Sequence, residues 1–211
     1  VSGPLRVFLA GEGRNELGSR AGHPSYQSNV EVGILEALLA RIRCDGWTVV
    51  GALQWKHLCK LRARGPSPTE AEQIERLILH AEEAEADIVA FSRDGDDEGA
   101  ARQEAVLVGV QRARAGLSKP LAVVGEVALP SLEGWILALL GQRGTEVMTP
   151  ARARREIEKA GLALKSTASM VRVVEQCPDL SEVPDDAKGL IRWRDTAQAA
   201  LAPSPGLPGG A

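Results

Sequence analysis

Three short acidic motifs stand beside apolar runs: Gly11-Glu12-Gly13 with Glu16 close behind, Asp94-Gly95-Asp96 followed by Asp97 and Glu98, and Glu126 with Glu133 further on. Carboxylates so placed can hold a divalent cation. Mg²⁺ suits them, because it takes octahedral oxygen ligands and commonly uses only one or two protein carboxylates beside water and phosphate oxygens; Mn²⁺ is the second candidate ion. In a loop of extended character, Asp94 and Asp96 point to the same side, and Gly95 leaves the space between them open. Crowded carboxylates repel one another unless a cation or a proton compensates, which makes Glu12, Asp94 and Asp96 the candidate metal ligands. Glu98, Glu126 and Glu133 are accessory candidates. Asp97 and Glu98 have a second reading, as charges that favour the N-terminus of the following helix.

The elements that must position these residues alternate between strand and helix. Leu5 to Ala10 reads as a buried strand, and Val30, Ile34, Leu38 and Ile42 recur at helical spacing within a helix from about Asn29 to Arg43, with Asn29 as its cap. Trp47 to Leu53 is the second strand, and Thr69 to Ala86 a helix whose Thr69 and Glu72 fit a capping box. Ile88 to Phe91 forms the third strand, Ala100 to Ala115 a helix, Pro120 to Val127 the fourth strand and Ser131 to Leu140 a short apolar helix. This succession predicts an α/β fold of Rossmann-like kind, with a mostly parallel sheet flanked by helices over residues 1–145. Pro150, Ser166 and Asp185 each begin a further helical stretch, so residues 146–202 read as a helical extension packed on the core. The Pro-, Gly- and Ser-rich segment 203–211 reads as a disordered tail. In an open parallel sheet, ligands bind outside the carboxyl ends of the strands, where Glu12, Asp94, Asp96 and Glu126 all fall.

Composition narrows the partners. A formal charge of −3 argues against binding nucleic acid by bulk positive charge. The charge is unevenly spread, however: between Glu70 and Glu98 eleven acidic residues face only Arg76 and Arg93, whereas between Arg152 and Arg172 six basic residues face only Glu156 and Glu158. Arg152, Arg154, Arg155 and Lys159 are therefore the candidate nucleic-acid contacts. No run approaches the roughly 18 apolar residues of a membrane span, and the first residues lack a signal-peptide pattern, so a cytoplasmic location without membrane contact is expected. Three widely spaced cysteines, Cys44, Cys59 and Cys177, agree with a reducing compartment. His23, His57 and His80 make no zinc spacing, Trp135 and Cys177 read as packing residues, and Gly11-Glu12-Gly13 continues into Arg14 and Asn15 without a dinucleotide fingerprint.

These motifs together resemble the TOPRIM superfamily of topoisomerases, primases and nucleases of overcoming-lysogenization-defect type. The likeness is greatest to the small stand-alone TOPRIM-like proteins linked with bacterial phage defence. It rests on Gly11-Glu12-Gly13 with Glu16, on Asp94-Gly95-Asp96, on Leu132-Glu133-Gly134-Trp135, and on Lys165 and Cys177-Pro178. The resemblance implies that Glu12 supports acid–base chemistry or binds metal, that Glu16 is a second acidic position of the nuclease branch, and that Asp94 and Asp96 bind metal. The segment from Gly18 to Asn29 departs from that pattern in being longer and more polar.

The expected chemistry is metal-assisted phosphodiester cleavage, with Glu12 or Glu16 taking a proton from water and Lys165 or a nearby arginine neutralising the transition state. DNA is the expected substrate, with anti-phage defence as the implied setting; a protein partner from a defence system and a homo-oligomer are further expectations. Another metal-dependent phosphohydrolase, and a noncatalytic nucleic-acid-binding or regulatory subunit of a defence complex, remain alternatives.

Overall fold

The computed structural model describes residues 3–21, 31–58, 68–164 and 166–202. Four strands form one sheet: β1 (Leu5–Gly11), β2 (Trp47–Gln54), β3 (Ile88–Asp94) and β4 (Ala122–Ala128). Their order is β2-β1-β3-β4, and every pairing is parallel. The chain steps outward from β1 to β2 and then crosses to β3 on the other side, so a topological switch lies between β1 and β3. A crevice opens at the carboxyl ends of the two strands flanking such a switch.

Strand alternation divides the core in two. Val7, Leu9, Ile88, Ala90 and Val124 point to one face, where they meet α2 (Ile34–Ile42), α6 (Leu132–Leu139), α8 (Thr167–Gln176) and α9 (Lys188–Leu201). Phe8, Ala10, Val89 and Phe91 point to the other, under α3 (Trp55–Leu58), α4 (Glu70–Glu83) and α5 (Gly99–Gly116). The C-terminal helices are thus part of the cover of the first face: Met170, Val174 and Trp193 are buried in the same cluster as Val7 and Leu9. Trp193 also ties α9 to the sheet, its indole N–H donating to the Phe91 carbonyl at 3.1 Å. A basic helix, α7 (Pro150–Lys159), buries Ala153 and Ile157 and packs on α6.

Most boundaries agree with the sequence pattern to within a few residues. Thr69 and Glu72 form the expected capping box, Thr149 and Ser166 cap α7 and α8, and Cys177 is the buried C-cap of α8. Two differences bear on the site. Helix α2 begins at Ile34 with Gly33 at its N-cap, later than the expected start at Asn29, which lies outside the described residues along with the rest of 22–30. A Cβ on Gly33 would stand 2.2 Å from the Glu16 carbonyl oxygen, so the start of α2 sits backbone-to-backbone against α1 (Arg14–Leu17). Strand β3 runs three residues past Phe91, because Ser92, Arg93 and Asp94 pair with Glu126, Val127 and Ala128. Among the described residues, no helix is long and apolar enough to cross a membrane.

Candidate functional site

The continuation of β3 determines which acidic residues meet. Alternation sends Asp94 to the same face as Ala90 and Ser92, and sends Arg93 to the opposite face with Phe91. Asp94 consequently faces α1 and α6. Its Oδ1 accepts the Leu132 N–H at 2.8 Å, at the first residue of α6. Glu16, in α1, is buried; its Oε2 accepts the Gly13 N–H at 3.0 Å. This approach depends on Gly11, where a Cβ would stand 2.5 Å from the Cβ of Glu16. Glu133 follows on α6 and accepts the hydroxyl of the fully buried Ser131 at 2.6 Å.

An open cleft of about 390 Å³ is lined by Glu12, Glu16, Asp94 and Glu133 together with Arg14, Asn15 and Leu164. Asn15 fastens the cleft lining across the chain: its Nδ2 donates to the Leu164 carbonyl at 3.2 Å, and Thr167 Oγ1 donates to its Oδ1 at the same distance. Burial, and next the carboxylate of Glu16, push Asp94 up to about 7, against the lowering effect of the Leu132 N–H; Glu133 and Asp96 add to the rise. Burial also raises Glu16, opposed by backbone hydrogen bonds and reinforced by Glu133. The Glu16 carboxylate thus makes Asp94 harder to ionise, and the Glu133 carboxylate acts in the same sense on both.

The other acids at this edge have arginine partners. Glu12 pairs with Arg93 Nη1, and Arg93 also holds Glu70 through Nε at 2.5 Å and Nη2 at 3.3 Å. Arg102 donates to the Asp94 carbonyl and to Asp96 Oδ2, the latter at 3.0 Å, and stands 3.6 Å from Glu98. Glu16, Asp94 and Glu133 have no ion pair with Lys or Arg among the described residues. The acidic edge therefore separates into a set neutralised from within and a set that is not.

The three expected metal ligands divide between these sets, Asp94 in the second and Glu12 and Asp96 in the first. The Asp94–Asp96 segment is not extended past Asp94: Asp96 has φ of 45°, in the left-handed region, and its backbone N–H is held by the Pro130 carbonyl at 2.7 Å. The period-two alternation fails there, and Asp96 turns to Arg102 instead of lining the cleft. Gly95 lies under the loop that follows β4. A Cβ there would stand 2.4 Å from Leu129 Cδ2, because the loop after β4 folds against it. Glu98 is the N-cap residue of α5 but makes no side-chain cap bond.

Glu126 lies within β4 and faces α9, where Arg192 Nε meets it at 2.6 Å, so it does not join the cleft. Arg152, Arg154, Arg155 and Lys159 stand exposed on α7, with Lys159 bound to Glu156 at 2.8 Å. Lys165, like His23 and Cys59, lies outside the described residues. His80 is 3.2 Å from Glu83 and meets Phe8 edge-on, away from the cleft. Arg93, Arg102, Asn15 and Ser131 escaped the sequence reading. For Arg93 a signal existed, since any strand that includes Asp94 puts its predecessor on the other face.

The cleft carboxylates are oxygen donors of the kind that Mg²⁺ takes. Asp94 and Glu16 each have one carboxylate oxygen taken by a backbone N–H, leaving the other for a ligand. Among the described residues, no group of three or more His, Cys, Asp or Glu is assembled to hold an ion. A short supply of protein ligands is what Mg²⁺ tolerates, because it keeps several of its waters.

No family model matches the chain, and no curated protein or solved structure matches it.

Proposed function

We propose that this chain is a Mg²⁺-dependent phosphodiesterase of TOPRIM kind that hydrolyses nucleic acid, with DNA as its substrate. One observation carries the reading: Glu16, Asp94 and Glu133 line one open cleft beside the β1/β3 switch, with no ion pair to Lys or Arg among the described residues. Asp94, at about 7, can hold or release a proton at physiological pH. In this reading Asp94 and Glu16 offer their free oxygens to the ion, while Glu133 takes part through water or accepts a proton. Glu12 occupies the rim, and the guanidinium of Arg14 is exposed beside the same cleft. Bound Mg²⁺ would supply charge to polarise a phosphate and acidify a water.

A noncatalytic, partner-dependent role is the second reading. It is favoured by the pairing of Glu12 and Asp96 with Arg93 and Arg102, which engages two of the three expected metal ligands in ion pairs. The deciding experiment incubates the purified chain and D94N with single- and double-stranded DNA and RNA across a Mg²⁺ and Mn²⁺ titration, with thermal unfolding followed in parallel. Metal-dependent cleavage by the parent that D94N lacks supports the enzyme. Metal-dependent stabilisation without cleavage of any substrate supports the noncatalytic reading, and neither effect removes the metal site.

A further inference from the structure

Arg93 is held from three sides at the carboxyl edge of the sheet. Its guanidinium fork spans Glu12 on one side and Glu70 on the other, and the group lies over the Trp55 ring at 5.5 Å from the centroid. Its side chain is only 15% exposed. Glu70 is itself fixed, since it is the first residue of α4, whose start is closed by Thr69 and Glu72 through hydrogen bonds of 3.0 and 3.3 Å. Trp55 is anchored by its N–H to the Ser92 carbonyl at 2.9 Å. Glu12, by contrast, belongs to both worlds: it lines the cleft with Asp94 and Glu16, and it is bound to an arginine on the opposite face.

We infer that Arg93 is a built-in counter-cation that withholds Glu12 from a divalent ion in the cleft, and so is a positioning residue setting how tightly that ion binds. The inference rests on the proposed cation site. A carboxylate already paired with a guanidinium nitrogen is a poorer ligand, and the ion must compete for it. When only a fraction of molecules has Glu12 free, the apparent dissociation constant rises by the inverse of that fraction. The exchange is feasible because release of Glu12 does not strand Arg93. The guanidinium keeps both contacts to Glu70 and its place over Trp55, so no buried charge is left without a partner. Glu70 and Glu12 are thus the two poles between which Arg93 shares its charge.

Opposite effects are expected from removing the two neighbours of Glu12. Neutralising Arg93 frees Glu12 for the ion. Neutralising Glu70 leaves Arg93 to Glu12 alone and withholds it further. A merely structural role for the network would weaken ion binding in both cases, or in neither.

The test measures Mn²⁺ affinity of the full-length chain from the loss of the free-ion paramagnetic resonance signal, in the parent, R93Q, E70Q, E12Q, R93Q/E12Q and D94N, with thermal unfolding as a check of folding. R93Q is expected to bind Mn²⁺ about 5-fold more tightly than the parent and E70Q about 2-fold more weakly, whereas R93Q/E12Q is expected to bind no more tightly than E12Q. A folded R93Q with unchanged or weaker affinity overturns the inference. So does an R93Q/E12Q variant that gains over E12Q as much as R93Q gains over the parent, which would be long-range charge alone. If R93Q does not fold, E70Q decides: unchanged or tighter binding overturns the inference. Parent binding that D94N abolishes, with no response to Arg93 or Glu70, leaves the metal site standing and the inference refuted. Binding that appears only in R93Q and requires Glu12 supports the inference, and absence of Mn²⁺ binding in every variant overturns it together with the metal site.

Discussion

The Leu132 N–H donates to Asp94 Oδ1 at 2.8 Å, tying the last residue of β3 to the first residue of α6. A carboxylate at a helix N-terminus is ordinarily made easier to ionise. Here burial and the Glu16 carboxylate outweigh that hydrogen bond and leave Asp94 at about 7. Packing at this edge is therefore paid for in proton affinity, and the metal-free protein should show it.

An aspartate in the unfolded chain ionises near 3.8, so between that pH and about 7 the native state keeps a proton that the unfolded chain has released. Stability from this group is fully present below the unfolded value and is lost as pH rises through about 7. In the presence of chelator, urea unfolding should show the parent losing about 1–3 kcal/mol between roughly pH 5 and pH 8. D94N keeps an acceptor for Leu132 and has no charge to titrate, so its profile should be flatter by about half or more, the remainder coming from Glu16. Identical profiles for the two proteins would rule out the raised aspartate.

Much of this arrangement is legible in the sequence where one short segment decides it. The apolar runs of β1 and β3 and the Thr69–Glu72 box are local signals, and each appears where its pattern puts it. The polar end of β3 is not local. Ser92, Arg93 and Asp94 are strand because β4 pairs with them, and that pairing is what throws Arg93 and Asp94 to opposite faces. Asp96 is illegible for a related reason: its conformation is set by the Pro130 carbonyl, and its partner Arg102 is six residues on, across the start of α5. Glu16 is visible as an acid, but its burial depends on how α1 folds back over Gly11.

Gly11 gives a direct check of that contact. A methyl group there would meet Glu16 Cβ at 2.5 Å and Cγ at 3.0 Å, near the base of the side chain where rotation gives little relief. G11A should lower unfolding free energy by about 1–3 kcal/mol, the usual cost of forcing atoms into a filled site. Gly116, the last residue of α5, has only Leu79 Cδ2 in reach at 3.7 Å, and G116A should instead be neutral or stabilising by up to about 1 kcal/mol. Equal stabilities for G11A and the parent would show that α1 does not pack on β1 in this way.

The basic face of α7 can be tested without disturbing its buried side. Arg152, Arg154 and Arg155 are exposed, whereas Ala153 and Ile157 hold the helix to the core. Basic residues near a helix N-terminus oppose its dipole, so R152Q/R154Q/R155Q should be as stable as the parent or better by a few tenths of about 1 kcal/mol. If this face binds polynucleotide, the triple variant should bind DNA at least about 10-fold more weakly at low salt, with a shallower dependence of affinity on salt, because fewer counterions are released. Fluorescence anisotropy across a salt titration measures both, and superimposable curves would remove α7 from the footprint. K159Q alone should do less, since Lys159 is already bound to Glu156.

Asp94 and Asp96 should part company in the same assay. They are one residue apart and chemically alike, yet Asp94 lines the cleft beside Glu16 while Asp96 turns in the left-handed region toward Arg102. If the cleft is the metal-dependent phosphodiesterase site, D94N should cut cleavage by at least about 100-fold at limiting Mg²⁺, because it removes a ligand and its charge together. D96N should cost less than about 5-fold, since a neutral side chain there withdraws one partner from Arg102 and leaves the cleft lining intact. Asn also tolerates the left-handed backbone that Asp96 adopts, so D96N should unfold within about 0.5 kcal/mol of the parent. The measurement is initial cleavage rate against Mg²⁺ concentration for the parent and both variants, with urea unfolding of each. Equal losses in the two variants would mean that Asp96 swings into the cleft when the ion binds, and the separation of the acidic edge into paired and unpaired carboxylates would not survive in the working protein.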